Sequence, residues 1–69
     1  MILNKEALIS LIDNEFDGSV YKAAMSFGLS YSGLFKLINY NRKAGLKTIT
    51  AIIDFCGNNN LNYTDYIFF

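Results

Sequence analysis

The segment from Val20 to Asn39 constrains this chain most, because its sequence predicts two short helices joined by one tight turn. Gly28 lies where the chain must reverse, and only glycine adopts the positive φ usual at such a position without strain. Ser30 follows as an N-cap for the second helix. Ala24 is small enough to let the two helices cross closely. We therefore predict a helix-turn-helix over about residues 20–39.

Apolar periodicity extends the helical pattern to the rest of the chain. Asn4 and Ser19 are further N-cap candidates, and Asn62 caps one short turn in the tail. Gly57 and the asparagines at 58–60 end the last long helix. The β-branched residues recur at helical spacing, so no strand is predicted. The predicted helices cover about residues 5–16, 20–27, 31–39 and 46–56. The sequence therefore predicts an all-α chain, a compact four- to five-helix bundle forming a single domain over residues 1–69.

One face of each predicted helix carries the apolar side chains expected in the core. Cys56 belongs to this set, and a buried thiol without a basic neighbour is inert. The expected core residues are Leu8, Leu11, Ile12 and Phe16; Val20, Ala23, Phe27 and Leu29; Leu34, Leu37 and Ile38; and Leu46, Ile49, Ile52, Ile53 and Cys56.

Composition narrows the possible classes of protein. The chain is 52% hydrophobic and 17% charged, which is typical of a folded domain. Apolar runs are too short to span a membrane, no signal peptide is visible, and a cytoplasmic location is expected. Histidine is absent, the single cysteine has no catalytic partner, and the carboxylates lack metal-ligand spacing. The sequence therefore predicts neither an enzyme nor a metal site, and it indicates no small-molecule ligand.

Charge is distributed unevenly, although the net charge is zero. Residues 1–18 carry a net charge of −3, and residues 51–69 carry −2. Residues 19–50 carry five basic residues and no acid, a net charge of +5. The sequence thus predicts one positive face, which favours a nucleic-acid partner.

The third helix has two distinct sides on a helical wheel. Leu34, Leu37 and Ile38 lie on one side, and polar and aromatic residues spread over about 140° of the other. In a DNA-binding helix-turn-helix, this outer side contacts base edges in the major groove. The predicted base-facing residues are Tyr31, Ser32, Phe35 and Lys36, of which Tyr31 and Phe35 form an aromatic pair with affinity for thymine methyl groups. The predicted phosphate-contacting residues are Lys22, Asn39, Asn41, Arg42 and Lys43.

Residues 20–68 resemble the lambda-repressor-like (XRE-type) family of phage repressors, Cro proteins and related bacterial regulators. The resemblance lies in Ala24, in the segments 28–30 and 37–38 around Leu34, in the basic segment 39–43, in Leu46-Lys-Thr-Ile49 and in the closing Tyr66-Ile-Phe68. It implies a five-helix bundle, a dimer that binds palindromic double-stranded DNA, and no cofactor. By similarity, Ser30 joins Tyr31, Ser32 and Lys36 among the base-contacting positions, and Asn39, Arg42 and Lys43 lie near phosphate. The predicted function is a sequence-specific transcriptional regulator, a repressor that occupies an operator.

Two aromatic residues depart from the family pattern. Members often carry arginine or glutamine at the position of Tyr31 and a polar residue at that of Phe35. An alternative function is therefore a protein-interaction module that binds a partner regulator or toxin through these rings. A third option is an antitoxin-like subunit that binds both DNA and protein.

The C-terminal tail is unusually apolar for an end of a chain. Its apolar residues are Leu61, Tyr63, Tyr66, Ile67, Phe68 and Phe69. We expect the tail to dock partly on the core and to share in a homodimer interface.

Overall fold

Four α-helices and one small sheet make up the computed structural model, which describes residues 2–40 and 42–68. The elements in chain order are β1 (Ile2–Leu3), α1 (Lys5–Phe16), α2 (Val20–Phe27), α3 (Tyr31–Asn39), α4 (Leu46–Asn58), one 3-10 turn (Tyr63–Asp65) and β2 (Ile67–Phe68). The first three helices have the predicted bounds, and the predicted turn after Asn62 is present. The prediction of a mostly helical chain is confirmed.

Local signals account for where these helices begin. Asn4, Ser19 and Ser30 each have extended backbone, and the side-chain oxygen of each accepts a hydrogen bond of 3.1–3.2 Å from the backbone N–H three residues later. Such caps satisfy N–H groups that the first turn leaves without a partner.

The turn between α2 and α3 depends on Gly28, which has a φ of 72°. The N–H of Leu29 donates to the carbonyl oxygen of Ala24 at 2.9 Å, which closes the end of α2. Ala24 is buried and Leu29 is half-buried against the core. The two helices therefore pack on each other directly, as predicted for a helix-turn-helix.

The fourth helix begins at Leu46, as predicted, but ends later than predicted. It continues through Gly57 to Asn58, and Asn60 supplies the left-handed residue, with a φ of 56°. The N–H of Leu61 then donates to the carbonyl oxygen of Cys56 at 2.9 Å. Leu46 is 71% exposed rather than buried, because it lies roughly 90° around the helix from the centre of the buried stripe.

The prediction that no strand would form is wrong. β1 and β2 pair antiparallel, with Ile2 opposite Phe68 and Leu3 opposite Ile67. Leu3 and Ile67 face the core, whereas Ile2 and Phe68 are exposed on the other side of the sheet. The tail is thus partly docked, as expected, and its docking partner is the other end of the chain.

The core lies between the helices and the inner side of the sheet. Phe16, Phe27 and Phe55 form an aromatic cluster in which ring centroids are 4.8–5.8 Å apart. Cys56 is fully buried, as predicted, and no polar or charged side chain of the described ranges is buried. The buried residues are Leu3, Leu8, Leu11, Ile12, Ala23, Ala24, Phe27, Leu34, Leu37, Ile49, Ile52, Cys56 and Ile67.

Candidate nucleic-acid interface

The outer side of α3 is exposed, as the helical wheel predicted. Leu34 and Leu37 are buried against the core. The opposite side of α3 carries exposed side chains, namely Tyr31, Ser32, Phe35, Lys36 and Asn39. No residue of α3 is acidic.

Hydrogen bonds within α3 already occupy two of the predicted contact residues. The hydroxyl oxygen of Ser30 accepts from the N–H of Gly33 at 3.1 Å. A Cβ at Gly33 would lie 2.8 Å from that oxygen, so the glycine makes room for the cap. The side-chain amide nitrogen of Asn39 donates to the carbonyl oxygen of Phe35 at 3.0 Å. Both residues remain exposed, but each has less hydrogen-bonding capacity left for a partner.

Ser32 and Lys36 differ from Ser30 and Asn39 in their hydrogen bonding. Their side chains make no hydrogen bond to the rest of the described chain. Lys36 lies one turn after Ser32 on the same side of α3, since residues four apart are neighbours on a helix. Together with the hydroxyl of Tyr31, which also makes no hydrogen bond to the rest of the described chain, these two side chains are the polar groups of α3 that are wholly unused.

Three exposed rings run across α2 and α3, and we call Tyr21, Tyr31 and Phe35 the aromatic row. The rings of Tyr21 and Tyr31 are 6.1 Å apart at an interplanar angle of 58°. The rings of Tyr31 and Phe35 are 5.7 Å apart at 42°. These separations lie in the range at which aromatic side chains attract each other. Sequence reasoning paired Tyr31 with Phe35 but missed Tyr21, although Tyr21 lies in the first turn of α2 beside the predicted contact residue Lys22.

A recess of about 250 Å³ lies between α3 and the beginning of α4. Three basic residues line it, namely Arg42, Lys43 and Lys47, together with the hydroxyl-bearing Ser30 and Thr48. The remaining lining residues are small or apolar: Leu29, Gly33, Leu34, Leu37 and Ala44. Lys47 was counted among the five basic residues of the range 19–50 but not assigned to the site, because its position relative to α3 depends on the path of the intervening loop.

The beginning of α4 adds to the positive potential of this recess. Gly45 is its N-cap residue, and it provides no side chain to accept hydrogen bonds from the first turn. Free N–H groups and the helix dipole together favour anions at such an end.

The basic side chains near α3 remain available for a partner. Across residues 2–40 and 42–68, none of Lys22, Lys36, Arg42, Lys43 and Lys47 forms an ion pair. All five are exposed. Asn41, the other predicted phosphate contact, lies outside the described residues.

The single cysteine lies in the core and not on this surface. The Cys56 thiol is buried in α4, and burial raises its pKa, with a further contribution from the negative charge of Asp65.

Within the described ranges, no three residues among histidine, cysteine and the acids come together as metal ligands do. Nor does any helix there have the length and apolar character needed to cross a bilayer.

Comparison with known proteins adds no relative: no protein-family model, curated protein or solved structure matches this chain.

Proposed function

We propose that this chain is a sequence-specific DNA-binding regulator of the lambda-repressor-like helix-turn-helix type, with α3 in the major groove of double-stranded DNA. The observation that carries the proposal is the exposed side of α3, which has Ser32, Lys36 and the aromatic row next to a recess lined by Arg42, Lys43 and Lys47. The major groove is about 12 Å wide and admits one helix. A nine-residue helix is about 14 Å long, enough to contact a few successive base pairs.

The proposed mechanism separates residues that fix position from residues that select sequence. Arg42, Lys43 and Lys47 bind backbone phosphates on one side of α3, where the free N–H groups of α4 reinforce them. Lys22, at the beginning of α2, binds the other strand. Ser32 and Lys36 contact base edges. Repression follows because an occupied operator excludes other proteins. The chain acts as a binding protein rather than an enzyme, and its action is assigned to the cytoplasm.

A homodimer is part of the proposal. Two copies related by a two-fold axis would place their α3 helices in successive major grooves about 34 Å apart. Ile2 and Phe68 lie directly opposite each other in the sheet, and both are exposed. We assign the dimer contact to this apolar pair, because Ile67 is already buried in the core and cannot contribute.

Selection from a random library of DNA duplexes tests the proposal directly. The purified chain is offered the library first at low salt and then at physiological salt. We expect a palindromic consensus whose half-sites are one helical turn apart. Phosphate contacts alone would survive only at low salt and yield no consensus, since they are independent of sequence. Recovery of no sequence preference at either salt concentration would refute sequence-specific binding.

One observation favours a second function, the protein-interaction module. The aromatic row is apolar and exposed, and aromatic residues are enriched at protein interfaces. A partner protein that is retained by the wild-type chain without DNA, and lost with Phe35→Ala, would support this alternative. DNA binding is preferred because Lys36 lies on α3, Arg42, Lys43 and Lys47 line the recess beside it, and no acid lies between residues 19 and 50.

A further inference from the structure

The aromatic row gives α3 a means of base selection that does not depend on hydrogen bonds. We infer that the row contacts the C5-methyl groups of thymine in the major groove, and that these contacts determine which operator is chosen. This inference rests on the proposed function and specifies what the same surface recognises.

The hydrogen-bonding groups of α3 include few that identify a base pair by themselves. The strongest base-specific contacts are bidentate: arginine or lysine binds guanine, and asparagine or glutamine binds adenine. Residues 30–39 contain no arginine or glutamine. Their one asparagine, Asn39, has its amide nitrogen bonded to the carbonyl oxygen of Phe35. Lys36 can bind guanine in this way, whereas Ser32 and the hydroxyl of Tyr31 offer single hydrogen bonds that several base edges can accept.

Apolar surface is what α3 has in excess. Tyr31 is 46% exposed, and Phe35, which has no polar side-chain atom, is 37% exposed. Among the base-pair edges in the major groove, the distinctive apolar group is the thymine methyl. Contact between an aromatic ring of α3 and a thymine methyl removes apolar surface of both groups from water. The apolar rings of the aromatic row therefore complement A·T pairs better than G·C pairs.

Tyr21 acts as a positioning residue for this contact. Its ring lies 6.1 Å from that of Tyr31, and the ring of Phe35 lies 5.7 Å away on the same helix as Tyr31. A side chain held between two rings loses less conformational freedom when it binds. Removal of the Tyr21 ring is therefore expected to weaken methyl recognition through Tyr31.

Replacement of thymine by uracil isolates the methyl group. Uracil pairs with adenine as thymine does and keeps every hydrogen-bonding group, so only the methyl is lost. The duplex recovered by library selection is resynthesised with uracil at one thymine at a time, symmetrically in both half-sites. We expect affinity to fall about fourfold for each contacted methyl. The ratio of the affinity for the thymine duplex to that for the uracil duplex should be the same at low and at high salt. Both duplexes offer the same phosphates, so the salt-dependent part of the affinity is common to them.

Substitutions in the aromatic row test whether its rings cause the difference between the thymine and uracil affinities. Phe35→Ala should bring the ratio close to one at the thymine that Phe35 contacts, and Phe35→Leu, which keeps apolar bulk, should retain part of it. Tyr21→Ala should lower the ratio, whereas Tyr21→Phe, which keeps the ring, should restore it. Tyr40→Ala is the matched control, since Tyr40 is an exposed tyrosine outside the row. Circular dichroism of each variant verifies the fold.

The two proposals fail in different ways. A chain that selects a consensus but binds uracil duplexes as tightly as thymine duplexes at every position overturns the methyl contact and leaves the DNA-binding function intact. A uracil effect that persists in Phe35→Ala and Tyr21→Ala also overturns the assignment to the row. If no duplex is selected while Phe35 is needed to retain a protein, both proposals are wrong and the row is a protein interface.

Discussion

The backbone N–H of Asn4 donates a hydrogen bond of 2.7 Å to the carbonyl oxygen of Tyr66. The same asparagine caps α1, because its side-chain oxygen accepts from the N–H of Ala7 at 3.2 Å. Asn4 therefore links the beginning of the first helix to the C-terminal tail, immediately beside the pairing of Leu3 with Ile67. In a chain of 69 residues with a small core, such a link contributes appreciably to stability.

Asn4→Ala should lower the free energy of unfolding by about 1 kcal/mol, because it removes the cap side chain. Urea denaturation measures the change. Asn14→Ala is the matched control: Asn14 is exposed on α1 and its side chain makes no hydrogen bond within the described chain. Alanine is the better helix former, so the control should keep or slightly raise stability. Equal losses in the two variants would show that the cap is unimportant.

The same substitution at two glycines should have opposite effects. Neither Gly28 nor Gly57 has a heavy atom within 4 Å of where a Cβ would lie, so sterics do not decide the outcome. Gly28 has a positive φ, and Gly28→Ala should destabilise the fold by about 1 kcal/mol or more. Gly57 is helical within α4, and Gly57→Ala should stabilise it by up to about 1 kcal/mol. Thermal unfolding of both variants measures the signs, and a loss of stability in Gly57→Ala would contradict this account.

The sequence predicts those features that depend on neighbouring residues, and it does not predict those that depend on residues far apart along the chain. Ser19, Gly28 and Ser30 act on neighbouring residues, so the bounds of α2 and α3 were predictable. The strands were missed because two residues cannot display alternation, and their pairing joins opposite ends of the chain. Gly57 was taken as a helix end because glycine commonly serves there, but in the structure Asn60 has that conformation instead.

The candidate site was predictable to the same extent. The exposed side of α3 follows from a local wheel, since Leu34 and Leu37 fix which side is buried. The contact between Tyr21 and Tyr31 depends on how α2 and α3 cross, which no local pattern specifies. The position of Lys47 beside the recess depends likewise on the loop between α3 and α4.

Alkaline conditions should destabilise the fold through two buried or half-buried groups. Burial is the main cause that raises the pKa of both Cys56 and Tyr66 above their ordinary values. The folded state therefore favours their protonated forms, and this contribution is complete below the ordinary thiol pKa of 9.0 and is lost as the pH rises further. Urea denaturation from pH 7 to 11 should show stability falling above about pH 9.

Two variants separate these contributions. Cys56→Ala should remove the earlier part of the alkaline loss, and Tyr66→Phe should remove the later part. In the wild-type chain, a thiol reagent should modify Cys56 slowly under native conditions and rapidly in urea, because the thiol is buried. Rapid modification of the folded chain would contradict the burial of this residue.

The exposed pair Ile2 and Phe68 predicts a dimer that apolar contact stabilises. Phe68→Ser should shift the chain from dimer to monomer in sedimentation equilibrium, because it replaces an apolar ring in the contact by a small polar group. Ile9→Ser is the control, since Ile9 is an exposed apolar residue that belongs to α1 and not to the sheet. The monomeric variant should also bind the selected operator more weakly, because the two half-sites are then occupied independently. Persistence of a dimer in Phe68→Ser would assign the interface elsewhere.

Salt dependence distinguishes the residues that contact phosphates. Each phosphate contact contributes about 0.9 to the slope of log affinity against log salt concentration. Lys36→Ala combined with Arg42→Ala should therefore lower affinity and flatten this slope, by nearly two for each bound protomer if both side chains contact phosphate and by about one for each protomer if Lys36 contacts a base. Lys47→Ala alone should flatten it by about one for each protomer, because Lys47 lines the recess together with Arg42 and Lys43. Lys5→Ala removes the same charge from α1, outside the basic segment, and should leave the slope unchanged. Fluorescence anisotropy at several salt concentrations gives all four slopes, and a change in Lys5→Ala equal to that in Lys47→Ala would mean that net charge, rather than the surface beside α3, governs binding.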